Sequence, residues 1–163
     1  MAELVSRLRV FISSPGDLQN ERQIAVDTCR QVTQDMGAIH SFFLDPLVWE
    51  THTFSAVGEY PQAVVNEQIG TEYDIFLGIM ASKFGTPTPK WGSGTEEEFR
   101  NAYGSFKKNG LPEIAFFFSE APIRPSSLDV DQLKRVLDFK NDIGKLGVLY
   151  ASVLNLTLAT CFL

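Results

Sequence analysis

The sequence predicts an α/β fold, a mostly parallel five-stranded sheet with helices against its faces. Three observations carry that expectation. Short apolar runs alternate with stretches of helical periodicity along the chain, as βαβ units require. The run Tyr73-Asp74-Ile75-Phe76-Leu77-Gly78-Ile79-Met80 is continuously apolar after Asp74 rather than alternating, which marks a strand buried on both faces at the centre of a sheet. The stretch from Phe42 to Trp49 is interrupted by Asp45-Pro46, and a strand that holds proline belongs at an edge, because proline cannot donate to a ladder. An edge second strand and a central third fit the flavodoxin-like order 2-1-3-4-5, whose ligand crevice lies beyond the carboxyl ends of strands one and three.

Taken in order, Leu8 to Ser13 is the first strand, mostly apolar. Ser14-Pro15-Gly16-Asp17 reads as a helix start, with a capping serine, proline at the first helical position and an acid in the first turn. The helix is expected to run to about Met36 and to end at Gly37. Its inward stripe is Leu18, Ala25, Cys29, Val32 and Met36, and Arg22 falls on the same stripe. A guanidinium there must either snorkel out or meet a carboxylate, and Arg22 is expected to be at least partly buried and paired with Glu50 or Glu98. After the second strand, Pro61 opens a short helix that Gly70 stops. The central strand leads into a long loop, Ser82 to Gly94, and then into a helix with Phe99, Ala102, Tyr103 and Phe106 at core spacing. Ile114 to Phe118 is the fourth strand. Asp129 with Gln132 forms a capping box for the last helix, which Gly144 closes, and Val148-Leu149-Tyr150 begins the fifth strand.

At 163 residues, 44% hydrophobic and 21% charged, the chain fits one domain with a sizeable core. Most of its thirteen Phe fall inside apolar runs. The formal charge of −6 and the pI near 4.9 argue against a nucleic-acid partner, which wants clustered Lys and Arg. Two cysteines, Cys29 and Cys161, share no motif spacing and fit reduced thiols in a cytoplasmic protein. Two histidines without ligand spacing give no metal site. The apolar run from Gly147 to Leu163 is at the short edge of what crosses a bilayer and reads as a last strand plus a tail, not a membrane anchor.

The segment Ser93-Gly94-Thr95-Glu96-Glu97-Glu98 puts three carboxylates at a helix start. Thr95 with Glu98 three residues on has the spacing of a capping box, and Glu96 precedes Arg100 by four residues. Local pattern therefore supplies a structural role for Glu96 and for Glu98. The predicted topology supplies another, because it brings Ser13-Ser14 through Asp17, the loop Ser82 to Gly94, and Glu98 to one crevice. Loops longer than about 12 residues inside compact domains are usually functional or disordered. Periodicity alone does not choose Glu98 over Glu96.

Several blocks carry a family likeness. Val10-Phe11-Ile12-Ser13-Ser14-Pro15-Gly16-Asp17-Leu18 with Glu21-Arg22, then Trp49-Glu50-Thr51, Pro61-Gln62, Tyr73-Asp74-Ile75-Phe76, Phe84-Gly85-Thr86-Pro87-Thr88 and Ser93 to Phe99 resemble, in order, a TIR-like bacterial family catalogued as domain of unknown function 4062. That family is similar in fold to TIR domains and nucleoside deoxyribosyltransferases. The resemblance implies a three-layer TIR-like domain over residues 1–150. It also implies attachment to a STAND-type ATPase or sensor module in a longer protein, and self-association. In the transferases a Gly-Thr-x-x-Glu helix start carries the glutamate that acts on the ribose anomeric carbon, and the pattern lands on Gly94, Thr95 and Glu98. Residues 151–163 carry no charge and depart from the polar, acidic helix with which the family usually continues. They are treated as an apolar tail, truncated or altered.

The resemblance implies that Glu98 is catalytic in cleavage of the N-glycosidic bond of NAD or a related nucleotide, with the nucleotide as substrate and no further cofactor. The nucleotide-binding set is Ser13, Ser14, Asp17, Arg22, Trp49, Glu50, Phe84, Gly85, Thr86, Ser93, Gly94 and Thr95. Ser13, Ser14 and the amides near Asp17 would hold phosphate at the amino end of the first helix, and Trp49 and Phe84 would stack on a base. Two other readings fit the same residues: a non-catalytic self-associating adaptor or nucleotide-binding module, and base exchange on deoxynucleosides.

Overall fold

The computed structural model describes residues 4–49, 70 and 72–154. Strands β1 (Ser6–Ser13), β2 (Phe42–Leu47), β3 (Ile75–Met80), β4 (Glu113–Ser119) and β5 (Tyr150–Val153) form one five-stranded sheet in the order β2-β1-β3-β4-β5. Every neighbouring pair is parallel. The described helices are α1 (Gln19–Val32), α2 (Ala38–His40), α3 (Gly94–Asn109) and α4 (Val130–Lys145). The flavodoxin-like order holds, with the proline-bearing strand at one edge and β3 inside. The helix expected from Pro61 lies outside the described residues.

Alternation along the strands sorts the core into two layers. Val10 and Ile12 of β1, with Leu77 and Ile79 of β3, pack against Ala25, Val26 and Cys29 of α1. Phe11, Phe76 and Met80 face the other way, into a cluster with Phe99 and Ala102 of α3 and Val136, Phe139 and Ile143 of α4. Aromatic rings dominate this second layer. Phe99 meets Phe116 and Phe139 edge-on at 6.1 and 5.4 Å, an arrangement that ring quadrupoles favour. Gly78 makes room for it: a Cβ there would lie 2.2 Å from the Phe116 ring of its register partner.

Several expected boundaries are corrected. Ser14–Asp17 is a turn closed by the Leu18 amide on the Pro15 carbonyl at 3.2 Å, and α1 begins at Gln19 without a side-chain cap. Gly37 does not end the first helix. After Val32 the backbone passes into a π-turn, Thr33–Gly37, and on through α2 to Ser41, which has φ 53°. The wider turn rotates the helix face, so Met36 leaves the inward stripe and is exposed. Gly37 serves close approach instead, since a Cβ would lie 2.6 Å from the Phe42 carbonyl oxygen. Thr33 ties the π-turn to β2 by accepting from the Leu44 amide at 3.0 Å. Gly144 lies inside α4, which closes at Leu146 before Gly147 in the left-handed region.

Candidate functional site

Beyond the carboxyl ends of β1 and β3 opens a cavity of about 740 Å³, in the range of small-molecule sites. Four chain segments build it. The turn after β1 contributes Ser14 to Asp17, the loop after β3 contributes Lys83 to Pro89, the start of α3 contributes Ser93 to Thr95 and Glu98, and the start of α4 contributes Asp129 and Gln132. Trp49 stands at the wall, 38% exposed.

The capping of α3 decides what its three carboxylates do. Ser93 is the N-cap, in extended backbone, and its hydroxyl accepts from the Glu96 amide at 3.1 Å. Glu96 folds back to accept from the Gly92 amide at 3.0 Å and from Arg100 at 3.2 Å. The capping pair is thus Ser93 and Glu96, not Thr95 and Glu98 as the spacing suggested. Glu97 accepts from the Thr88 hydroxyl at 2.6 Å and braces the loop. Glu98, one turn into the helix and freed from capping, points to the sheet, where the Ser13 hydroxyl donates to it. It is only 7% exposed, yet it lines the cavity. Tyr73 is close enough to feel this carboxylate: burial first, and the Glu98 charge second, push its phenol well above the usual tyrosine range.

Arg22 is buried as expected, at 3% exposure. Its Nη1 donates to the Ser14 hydroxyl at 2.5 Å and to the Pro15 carbonyl at 3.0 Å, and its guanidinium lies 5.9 Å from the centre of the Trp49 ring. These bonds make it the brace of the β1–α1 turn rather than part of the cavity wall. Glu50, one of its two expected carboxylate partners, lies outside the described residues; the bond described for the other, Glu98, comes from Ser13. Phe84 belongs to the core, edge-on to Phe139 at 5.6 Å with Arg135 over its ring at 4.7 Å. Of the two expected stacking rings, Trp49 is therefore the accessible one.

The sequence reading missed the role of α4. Gln132 does not turn back on the Asp129 amide. Its side-chain oxygen accepts from the Phe84 and Gly85 amides at 2.8 and 3.1 Å. One helical turn on, Arg135 donates to the Gly92 carbonyl at 2.6 Å. One face of α4 thus grips the loop at both ends. Gly85 has φ +103°, and a Cβ there would meet Ser93 at 3.3 Å and Pro15 at 3.8 Å, so three walls converge on this glycine. The signal for α4 was available in the topology: in a parallel sheet each crossover helix starts on the crevice side.

Among the described residues no group of three or more His, Cys, Asp or Glu is arranged to hold a metal ion, and no helix is long and apolar enough to cross a membrane. No curated protein matches the chain. The model of one family, domain of unknown function (DUF4062), matches residues 9–154, which takes in every strand but the first residues of β1 and every wall of the cavity, and the chain belongs to that family.

Proposed function

We propose that this is a TIR-like effector domain of a bacterial defence or signalling protein, and that it cleaves the N-glycosidic bond of NAD or a related nucleotide with Glu98 as the catalytic carboxylate. The observation that carries the reading is the placement of Glu98. It is a buried acid on the wall of the crevice beyond the carboxyl ends of β1 and β3, held by Ser13 and relieved of capping by Ser93 and Glu96. Burying a carboxylate is costly, and a helix start already capped gains nothing from a second acid pointed at the sheet.

The chemistry suits one carboxylate. As the C1′–N bond breaks, its electron pair leaves on the ring nitrogen, so nicotinamide departs neutral and needs no general acid. Positive charge develops at C1′ in an oxocarbenium-like transition state, which an adjacent carboxylate stabilises or attacks. Water then bonds to C1′ and gives up a proton. Ser13 fixes one carboxylate oxygen, the Arg22-braced turn and the α4-gripped loop hold the walls, and Trp49 offers a face to a planar ring. Clustering, by self-association or through an attached STAND-type ATPase or sensor module, is the expected trigger in the cytoplasm.

The test is nicotinamide release by the full chain fused to an oligomer. Glu98→Gln keeps size and still accepts from Ser13, so its turnover should fall by at least ~100-fold, the scale for losing a key electrostatic stabiliser. Glu96→Gln should remain active. Equal activity of the two variants, or no release from the clustered wild type, sinks the reading, and the second outcome favours a non-catalytic adaptor.

A further inference from the structure

The charges around the cavity narrow the substrate class, and the inference rests on the glycosidic reading above. All 14 Lys and Arg residues of the chain fall within the described residues, so the segments outside them bring no further cation of this kind. Lys83 is the one that lines the cavity. Arg22 lies behind the wall on Ser14 and Pro15. Arg100 is engaged on Glu96 and Arg135 on the Gly92 carbonyl. Against Lys83 the walls set three carboxylates, Asp17, Glu98 and Asp129. Among the described residues, even with Arg22 counted, carboxylates outnumber cations three to two.

This is a poor setting for a phosphate ester, since a pyrophosphate diester and a terminal monophosphate, at about −1.5 to −2 near pH 7, would bring similar negative charge into a cavity already acidic. The helix amino end expected to meet phosphate is also displaced, because α1 begins at Gln19, beyond the Ser14–Asp17 turn that forms the wall. It is a good setting for a ring that carries a positive charge. We infer that the substrate is a pyridinium ribonucleoside rather than its phosphorylated or dinucleotide forms. The cationic ring is drawn by the acidic wall, and no phosphoryl group offsets that attraction. The bond broken is the same C1′–N bond, with water as the co-reactant and neutral nicotinamide as the leaving group.

The test is calorimetric titration of the full chain with nicotinamide riboside, nicotinamide mononucleotide and NAD at low ionic strength. The riboside should bind at least roughly tenfold tighter than the mononucleotide or NAD, the scale of one to two unit charges met at an intermediate dielectric. The gap should narrow as salt is raised. Tighter binding of the mononucleotide than of the riboside, abolished by Lys83→Ala, would assign a phosphoryl group to Lys83 and overturn the inference. Asn caps a helix as well as Asp, so Asp129→Asn keeps α4 and should shrink the preference over NAD. NAD binding as tightly as the riboside, or none of the three binding, overturns the inference. Nicotinamide release by the clustered chain reports on the glycosidic reading separately. Release with NAD preferred keeps that reading and ends this one, whereas the predicted binding order without release ends the glycosidic reading and with it the assignment of the riboside as substrate.

Discussion

The Ser13 hydroxyl at the end of β1 donates to the Glu98 carboxylate in α3, joining residues 85 positions apart. The bond links the strand that opens the sheet to the helix that follows its central strand. Hydrogen bonds to charged groups contribute about 1.5–3 kcal/mol, and a buried acceptor left without its donor loses its share of that. Ser13→Ala should therefore destabilise the domain by about that amount in urea unfolding. In a Glu98→Met background the same change should cost little, since there is no charge left to satisfy. Equal cost in both backgrounds would make Ser13 a packing residue.

The fold was legible because periodicity and proline placement report burial on each face of each strand, and sheet order follows from burial. Arg22 was legible for the same reason, as the odd residue on an apolar stripe. The caps were not. Ser93 to Glu96 and Thr95 to Glu98 both satisfy the capping spacing, and the choice between them is made by the extended backbone at Ser93 and by Gly92, which presents its amide to Glu96. Gly37 misled because glycine marks helix ends and close approaches alike, and only the position of the Phe42 carbonyl tells which. Gln132 was explained too early: a capping role accounted for it, and its bonds to Phe84 and Gly85 depend on a contact 48 residues away.

That contact predicts a positioning role. Gln132→Ala removes the acceptor for two amides and should speed hydrogen exchange at Phe84 and Gly85 by roughly tenfold, with smaller changes in the rest of the loop, because Arg135 still holds Gly92. Gln132→Glu retains an acceptor and should restore slow exchange. If alanine leaves both amides as protected as in wild type, the loop is held by its own internal bonds through Thr88.

Stability should also fall in alkaline solution over a defined window. Burial raises the Cys29 thiol from its ordinary 9.0 to about 11, and Tyr73 titrates above its ordinary 10.0. Below pH 9 the thiol is protonated in both states and its contribution is fully present. As pH rises from about 9 to 11 the unfolded chain releases a proton that the folded chain retains, so stability declines, by at most about 1.4 kcal/mol per pH unit for each group. Urea midpoints measured from pH 7 to pH 11 should be flat at first and then fall, and Cys29→Ala should fall less steeply between 9 and 10. A variant with the wild-type slope would show that the thiol ionises as readily in the folded state as in the unfolded chain.

Glu98 permits a sharper separation of structure from chemistry, because stability and activity should move in opposite directions. A carboxylate that is only 7% exposed gives up most of its hydration on folding. Glutamine has the same shape, accepts from Ser13 through its carbonyl oxygen and carries no charge to desolvate. Glu98→Gln should therefore unfold at an equal or higher urea concentration than wild type, with a gain of up to about 1–2 kcal/mol, while the clustered protein loses at least ~100-fold in turnover. Glu96→Gln should do the reverse. It weakens a partly buried pair with Arg100, costs about 0.5 kcal/mol, and leaves turnover in place. A residue retained for packing would show the first variant less stable by more than about 2 kcal/mol, and that result would assign the carboxylate to the architecture of α3 and β1 instead of to the cavity.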